Sequence, residues 1–266
     1  MRMRISILVF VLTAFIISCS TVPVTGRKQL NFIPQSQMLS MSYQEYGDFM
    51  KSNKLSTNQQ QAQMVHTVGP RIQHAVEQYM AQKGLADRLN GYNWEFNLVE
   101  SKEVNAWCMP GGKVVVYSGI MPVVQNETGL AVVLGHEIAH AIAEHGGERM
   151  SQGLIAQAGG MALDAALQNK PAETKALWMT AFAVGAQYGA LLPYSRLHES
   201  EADHLGLIFM AMAGYDPHEA LNFWTRMSQA SGGGAPPEFL STHPSDQTRI
   251  DDIKKELPEA LQYYKK

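Results

Sequence analysis

Cysteine is nearly absent from this chain: Cys19 and Cys108 are the two among its 266 residues. Cys19 is assigned below to a lipid, so no intramolecular disulfide can form, and the chain must fold on core burial rather than on covalent staples. An excess of one charge is absent too. The formal net charge is -3 with no basic cluster, which removes nucleic acid as an expected partner. Long hydrophobic runs are also missing. The apolar stretch Ile5 to Ile17 is 13 residues, too short to span a bilayer comfortably. Residues 153–192 are rich in Ala, Gly, Leu and Gln and poor in charge, but Gln157, Asp164, Gln168 and the NKPAETK stretch interrupt them. They predict two soluble helices packed on the domain rather than a membrane span. No internal repeat and no low-complexity block is present.

What is there begins with a targeting pattern. Arg2 and Arg4 form a basic start, Ile5 to Ile17 an apolar centre, and Ile16-Ile17-Ser18-Cys19 resembles a bacterial lipobox. The expected organisation is a lipoprotein signal peptide over 1–18, a tether lipidated at Cys19 over 19–45, and one domain over 46–266. That expectation carries a location, the bacterial cell envelope on the periplasmic side of the outer membrane, and a membrane contact through the lipid.

Within the domain, Met64, Val68, Ile72, Val76 and Tyr79 recur at helical spacing, with a kink or restart expected at Gly69-Pro70. Trp94 to Val99, Val104 to Trp107 and Lys113 to Tyr117 predict strands, the last two separated by the turn signal Pro110-Gly111-Gly112. A helix is expected from Asn126, as its N-cap, to Gly146-Gly147, and another over 196–213. Asp216-Pro217 with Glu219 starts a further helix in capping-box style. A glycine loop follows at Ser231 to Gly234, and a last helix after His243-Pro244. Cys108 is read as buried and inert.

The chemistry centres on His136-Glu137-Ile138-Ala139-His140. Residues four apart on a helix lie about 40° from one another on one face, so two imidazoles one turn apart can grip a single metal ion. Glu137 sits beside them, where it can reach a metal-bound water. Leu134, Ile138 and Ile142 line the opposite, core-facing side. A catalytic zinc site takes three protein ligands and keeps one position open. The third ligand is expected in Glu199-Ser200-Glu201-Ala202-Asp203. Glu199 and Asp203 share a face, whereas Glu201 is rotated by about 200° from Glu199. Glu199 is therefore assigned to the metal, and Asp203 to orienting a histidine ligand from behind.

HEIAH, ESEAD and then STHP together resemble the gluzincin metallopeptidases, the family of the CAAX prenyl proteases and the HtpX-like proteases. The resemblance covers roughly residues 60–255. The run from Asn105 to Lys113 looks like that family's strand before the catalytic helix. Pro193 to Arg196, followed by ESEAD, is most similar to its soluble-domain branch, which includes the mitochondrial OMA-type protease and bacterial periplasmic lipoproteins. The resemblance implies a zincin-like, predominantly helical α+β domain with a small sheet beside the HExxH helix. It implies one zinc ion per chain on His136, His140 and Glu199, with Glu137 as the catalytic carboxylate. It also brings His243, from the Thr-His-Pro context, near the metal, either stabilising the oxyanion or ligating zinc in a latent state. For His145, His198 and His204 local hydrogen bonding is expected. The multiple membrane helices of the prenyl proteases are missing, so prenyl-peptide processing is not implied.

The expected activity is zinc-dependent endopeptidase cleavage of polypeptides, among them misfolded or unassembled envelope proteins, with the substrate pairing as an added strand on 113–117. One rival is a largely latent protease acting as a chaperone-like outer-membrane assembly factor. Another is a metal-binding module without hydrolysis, which would not need Glu137. The segment 153–192, lying between the second and third ligands, is expected to act as a lid or plug over the cleft, together with His243.

Overall fold

The computed structural model describes residues 19–22, 24–187, 191–230, 238–243 and 247–265. The expected signal peptide over 1–18, the glycine loop at 231–234 and Pro244 lie outside the described residues. No helix among the described residues is long and apolar enough to cross a membrane.

The stretch expected as a tether is folded. Strands β1 (Cys19–Thr21) and β2 (Lys28–Leu30) form an antiparallel hairpin with Cys19 opposite Leu30. Val22 is buried in the main core. Polar side chains of this hairpin reach the rest of the molecule, because Asn31 Nδ2 donates to Glu144 Oε2 at 2.9 Å and Arg27 pairs with Glu148 and Glu201. Helix α1 (Gln35–Ser52) follows, so ordered structure starts well before the expected boundary at 46. Helix α2 (Gln59–Gln82) is N-capped by Asn58, whose side chain accepts the Gln61 N–H at 3.1 Å. It buries Val65, Val68, Ile72, Val76 and Tyr79 at helical spacing, and it continues through Pro70, where a kink or restart was expected, without restarting. Packing of its apolar face against the sheet and two other helices offsets the one hydrogen bond that proline removes.

The sheet has the order β3-β5-β4, with β3 (Glu95–Val99) parallel and β4 (Ala106–Met109) antiparallel to the central β5 (Lys113–Tyr117). Val114, Val115 and Val116 are fully buried, as β-branched residues on a strand covered on both faces should be. The second strand starts two residues later than its pattern predicted. Because β5 is paired on both sides, it cannot accept a substrate strand, and that expectation is corrected. The outer edge of β3 is closed by residues 54–56, with Ser56 N–H donating to Leu98 O at 2.8 Å and Glu100 N–H to Lys54 O at 2.8 Å. Beyond Val104 O, which accepts from Phe239 N–H at 3.1 Å, the outer edge of β4 has no backbone partner among the described residues.

Helix α3 (Glu127–Ile142) begins as expected, with the Asn126 side chain accepting the Gly129 N–H at 2.9 Å. It ends earlier than expected. Glu144 adopts a left-handed φ of 60°, the chain turns, and α4 (His145–Ala166) runs straight through Gly146-Gly147. The remaining helices are α5 (Ala172–Ala186), α6 (Leu192–Met212), α7 (Glu219–Gln229), the short α8 (Glu238–Thr242) and α9 (Gln247–Tyr263). Helix α3 is the centre of the domain, packed by β4, α2, α6 and α7, and every residue from Gly129 to Ile142 is buried. Helices α4 and α5 are the pair expected from 153–192, but they are not packed on the domain. Beyond Ser151 no residue of α4 is buried, none of α5 is, and α5 packs chiefly against α4.

Candidate metal centre

Two glycines bring the ligand-bearing helices together. Gly135 of α3 lies against Gly206 of α6, where an added Cβ would meet the Gly206 carbonyl oxygen at 2.7 Å. The reverse substitution would put a Cβ 2.9 Å from the backbone nitrogen of His136. Only helices without side chains at that crossing approach so closely. The approach sets His136 and His140, one turn apart on α3, opposite Glu199 on α6.

The donor atoms then form a cluster of metal size. His136 Nε2 and His140 Nε2 are 3.1 Å apart, and each lies 3.3 Å from an oxygen of Glu199. Bonds of about 2.05 Å at the tetrahedral angle put zinc ligands about 3.3 Å from one another. His136 meets Oε2 of Glu199 and His140 meets Oε1, so the separations are of the size zinc ligands need, and two imidazoles with a carboxylate are a donor set zinc favours. His243 adds a fourth donor. Its Nδ1 lies 2.9 Å from Glu199 Oε2 and 3.1 Å from His136 Nε2, so all four residues could hold one ion.

The surroundings fix each ligand. Asp203, one turn after Glu199, lies 2.9 Å from His136 Nδ1, which leaves Nε2 facing the cluster. Asp203 is gripped in turn by Arg249, a residue that carried no sequence signal. Arg249 donates twice to it, from Nε and Nη2, both at 2.7 Å. Its Nη1 is 3.3 Å from Glu199 and its guanidinium lies 3.4 Å above the Trp224 ring. Burial works against charge on His136, but hydrogen bonds to Asp203 and Glu199 prevail and push its pKa up to about 9. Burial would likewise raise Glu199, yet the hydrogen bonds of His136, His140 and His243 hold it far below the usual carboxylate range. His136 would have to give up its proton to hold a metal ion, which would supply the positive charge that Glu199 is set to meet.

Glu137 points into the same space. It is 4% exposed, burial pushes its pKa up, and its Oε1 has no hydrogen-bond partner among the described residues. The nearest positive candidate is His243 Nε2, 3.4 Å away and outside hydrogen-bond geometry. A buried carboxylate oxygen without a donor is poised to accept a proton from a ligand that is not part of the protein. A cleft of about 540 Å³ opens beside Glu199 and Asp203, walled by Leu192, Arg196, Thr248 and Glu256.

Glu201 lies on the other flank of α6 and stays out of the cluster, as helical phase predicted. It forms part of a second buried group with His145, His198, Glu148 and Arg27. His145 and His198 were expected to bond only locally. They stack with ring centroids 4.2 Å apart; His145 keeps a local partner in His140, five residues back, but also bonds Glu201, 56 residues away, and His198 bonds Glu148, 50 residues away. His204 is partly exposed, 3.8 Å from Glu259. Cys108 is a free thiol whose pKa burial pushes well up, in keeping with an inert role.

Residues 67–257 match peptidase family M48. The chain is 33% identical over 251 residues to the mitochondrial metalloendopeptidase OMA1 of Schizosaccharomyces pombe, covering 90% of this chain and 66% of that protein. It is 32% identical over 246 residues to the mitochondrial metalloendopeptidase OMA1 of Bos taurus, covering 90% and 46%. It is 30% identical over 165 residues to the beta-barrel assembly-enhancing protease of Yersinia pestis, covering 60% and 34%. The chain thus spans between about a third and two thirds of the length of these relatives. The expected location is overturned here: the relatives matched by 90% of this chain are mitochondrial proteins, whereas the bacterial one is matched by 60%. The outer-membrane, periplasmic placement is withdrawn with it.

Proposed function

The chain belongs to peptidase family M48, and from that premise we propose that it is a zinc-dependent endopeptidase, with one zinc held by His136, His140 and Glu199. One observation carries this reading: a buried cluster of metal-ligating side chains beside Glu137, a buried carboxylate whose Oε1 has no hydrogen-bond partner among the described residues. A bare metal-binding module would have no use for that carboxylate. Zinc supplies Lewis-acid activation of water and of the scissile carbonyl. Glu137 takes the proton from the attacking water and returns it to the leaving amine. Asp203 and Arg249 keep His136 aligned during the reaction. The substrate backbone pairs with the open outer edge of β4, which reads any extended peptide, so the proposed substrates are unfolded or unassembled polypeptides. The test is casein cleavage with and without a chelator. Cleavage that survives removal of bound zinc sinks the reading.

A second reading, the latent protease, is favoured by His243. Its Nδ1 adds a fourth donor to a cluster in which a working zinc site would keep one position open. We take the chain to be closed at rest and active once His243 swings away. His243→Ala should then cleave peptides several-fold faster per bound zinc. A slower variant removes the latent reading and leaves the oxyanion role. Acylation of Cys19 remains a proposal resting on the Ile16-Ile17-Ser18-Cys19 stretch alone. An intact mass showing an unmodified cysteine removes it.

A further inference from the structure

His140 reaches the metal cluster with Nε2, and its other ring nitrogen is not bonded to a carboxylate or carbonyl. Its Nδ1 lies 2.8 Å from Nδ1 of His145. His145 Nε2 lies 2.9 Å from Glu201 Oε2, and all three side chains are buried. The direction of these bonds follows from chemistry. A carboxylate only accepts, so His145 donates to Glu201 from Nε2. A neutral His145 then accepts at Nδ1, and the donor there must be the Nδ1–H of His140. That leaves His140 Nε2 without a proton, the form a metal needs.

The far end of this chain is the N-terminal hairpin. Glu201 Oε2 accepts from Arg27 Nε at 3.0 Å, and Glu201 Oε1 accepts from the hydroxyl of Thr25. Arg27 also forks onto Glu148 with bonds of 3.1 and 2.7 Å. Glu144, whose left-handed backbone turns the chain into His145, accepts from Gln29 Nε2 at 3.3 Å and Asn31 Nδ2 at 2.9 Å. Residues 25–31 thus hold both the acceptor of His145 and the corner that carries it.

We propose that His145, Glu201 and Arg27 form a positioning relay that sets the tautomer and orientation of His140, so that the N-terminal hairpin is a structural part of the metal centre. Helical phase removed Glu201 from the metal, and the relay gives it its function at one remove. This inference rests on the proposed zinc site but not on peptide hydrolysis.

The test compares the full chain with its His145→Ala, Glu201→Ala and Arg27→Ala variants. Zinc affinity is measured by chelator competition, the visible spectrum of the cobalt-substituted protein is recorded, and kcat and KM are measured on a fluorogenic peptide. His145→Ala should weaken zinc about 10- to 100-fold, shift the cobalt bands, and lower kcat with KM unchanged. Glu201→Ala should weaken zinc about 10-fold and Arg27→Ala less, with the same spectral shift in smaller measure. Glu199→Ala, which removes a ligand, should lose metal far more completely than any of them. A role in folding alone would lower thermal stability and leave the cobalt spectrum of the folded fraction in place. If His145→Ala folds and binds zinc within twofold of wild type with unchanged bands, the relay is overturned. If it does not fold, the same result from Glu201→Ala overturns it. A wild type that binds zinc without cleaving peptides defeats the peptidase reading, while the affinity and spectral comparisons still decide the relay.

Discussion

Helices α3 and α6 carry the metal donors, and helices α4 and α5 join them in the chain, yet the two pairs are built on opposite terms. From Gly129 to Ile142 every residue of α3 is buried, including two histidines and a glutamate, and α6 meets it at a glycine-to-glycine crossing. The α4–α5 pair leaves Leu154, Met161, Leu177 and Trp178 at 45 to 69% exposure. Buried polar groups are costly unless paired, so the first pair surrounds its donors with Asp203, Arg249 and the His145 relay. Past Ser151 the second pair buries no side chain and satisfies its backbone within the helices, while the buried His145, Glu148 and Ser151 of the first turns of α4 belong with the metal centre. Precision is thus concentrated where a shift of a few tenths of an ångström would open the donor cluster, and is nearly absent one helix away.

The largest effect expected on the precise side is that of Glu137→Gln. It should lower peptide cleavage about 1,000-fold, within the range a single acid-base group contributes, and leave one zinc per chain by metal analysis. Loss of the metal would show that Glu137 ligates, and the role assignment would fall.

Alanine at glycine sharpens the contrast. Gly206→Ala forces a Cβ into the His136 backbone and should cost about 1–3 kcal/mol of stability while weakening zinc. Gly153→Ala on α4 has nothing within 4 Å and should stabilise by up to about 1 kcal/mol through helix propensity. Denaturant melts of the apo-proteins measure both. Equal and opposite-to-expected shifts would mean that the crossing is looser than its geometry.

How much of this was legible in the sequence depends on how far each residue's partner lies along the chain. His136, Glu137 and His140 follow from the helical period alone, and Glu199 and Asp203 from the same period on a second helix. The capping role of Asn126 was readable because its partner, Gly129, is three residues away. Arg249 was not, since its partners are Asp203 and Glu199, 46 or more residues earlier. His145 was passed over because nothing local marks Glu201 as its acceptor, and the hairpin because a short, mixed segment has no period to read. The central position of β5 was misjudged for a related reason: strand order is a tertiary fact, and an apolar β-branched run marks a buried strand without saying who flanks it.

Acid should act on the seam between the two regions. Burial would raise the Glu148 pKa, but hydrogen bonds from His198 and Arg27 overcome it and hold it at about 2, against an ordinary 4.5. A carboxyl depressed in the folded state contributes stability that is full above its unfolded pKa and lost as pH falls through the folded one. Between about pH 5 and 2, wild type should therefore lose about 1–2 kcal/mol that Glu148→Gln does not lose. Parallel pH profiles for the two proteins would detach Glu148 from this role.

The smallest effect is expected where the sequence promised a large one. A low-charge segment between two ligands was expected to cover the cleft, and shortening it was expected to release activity. Among the described residues, the walls beside Glu199 come from α6 and α9, and Leu192 at the start of α6 is what the 153–192 stretch contributes. The fourth donor is His243 from the end of α8. The α4–α5 pair turns back on itself, held by contacts such as Lys175 Nζ to Asp164 at 2.7 Å. Replacing residues 155–184 with a short flexible linker should therefore leave zinc stoichiometry intact and kcat on a small peptide within about twofold of wild type, since none of the residues removed is buried or touches a ligand. His243→Ala in the same background should still raise cleavage per zinc. A shortened chain that is itself much faster than wild type would return the lid to the α4–α5 pair and take the plugging role from His243.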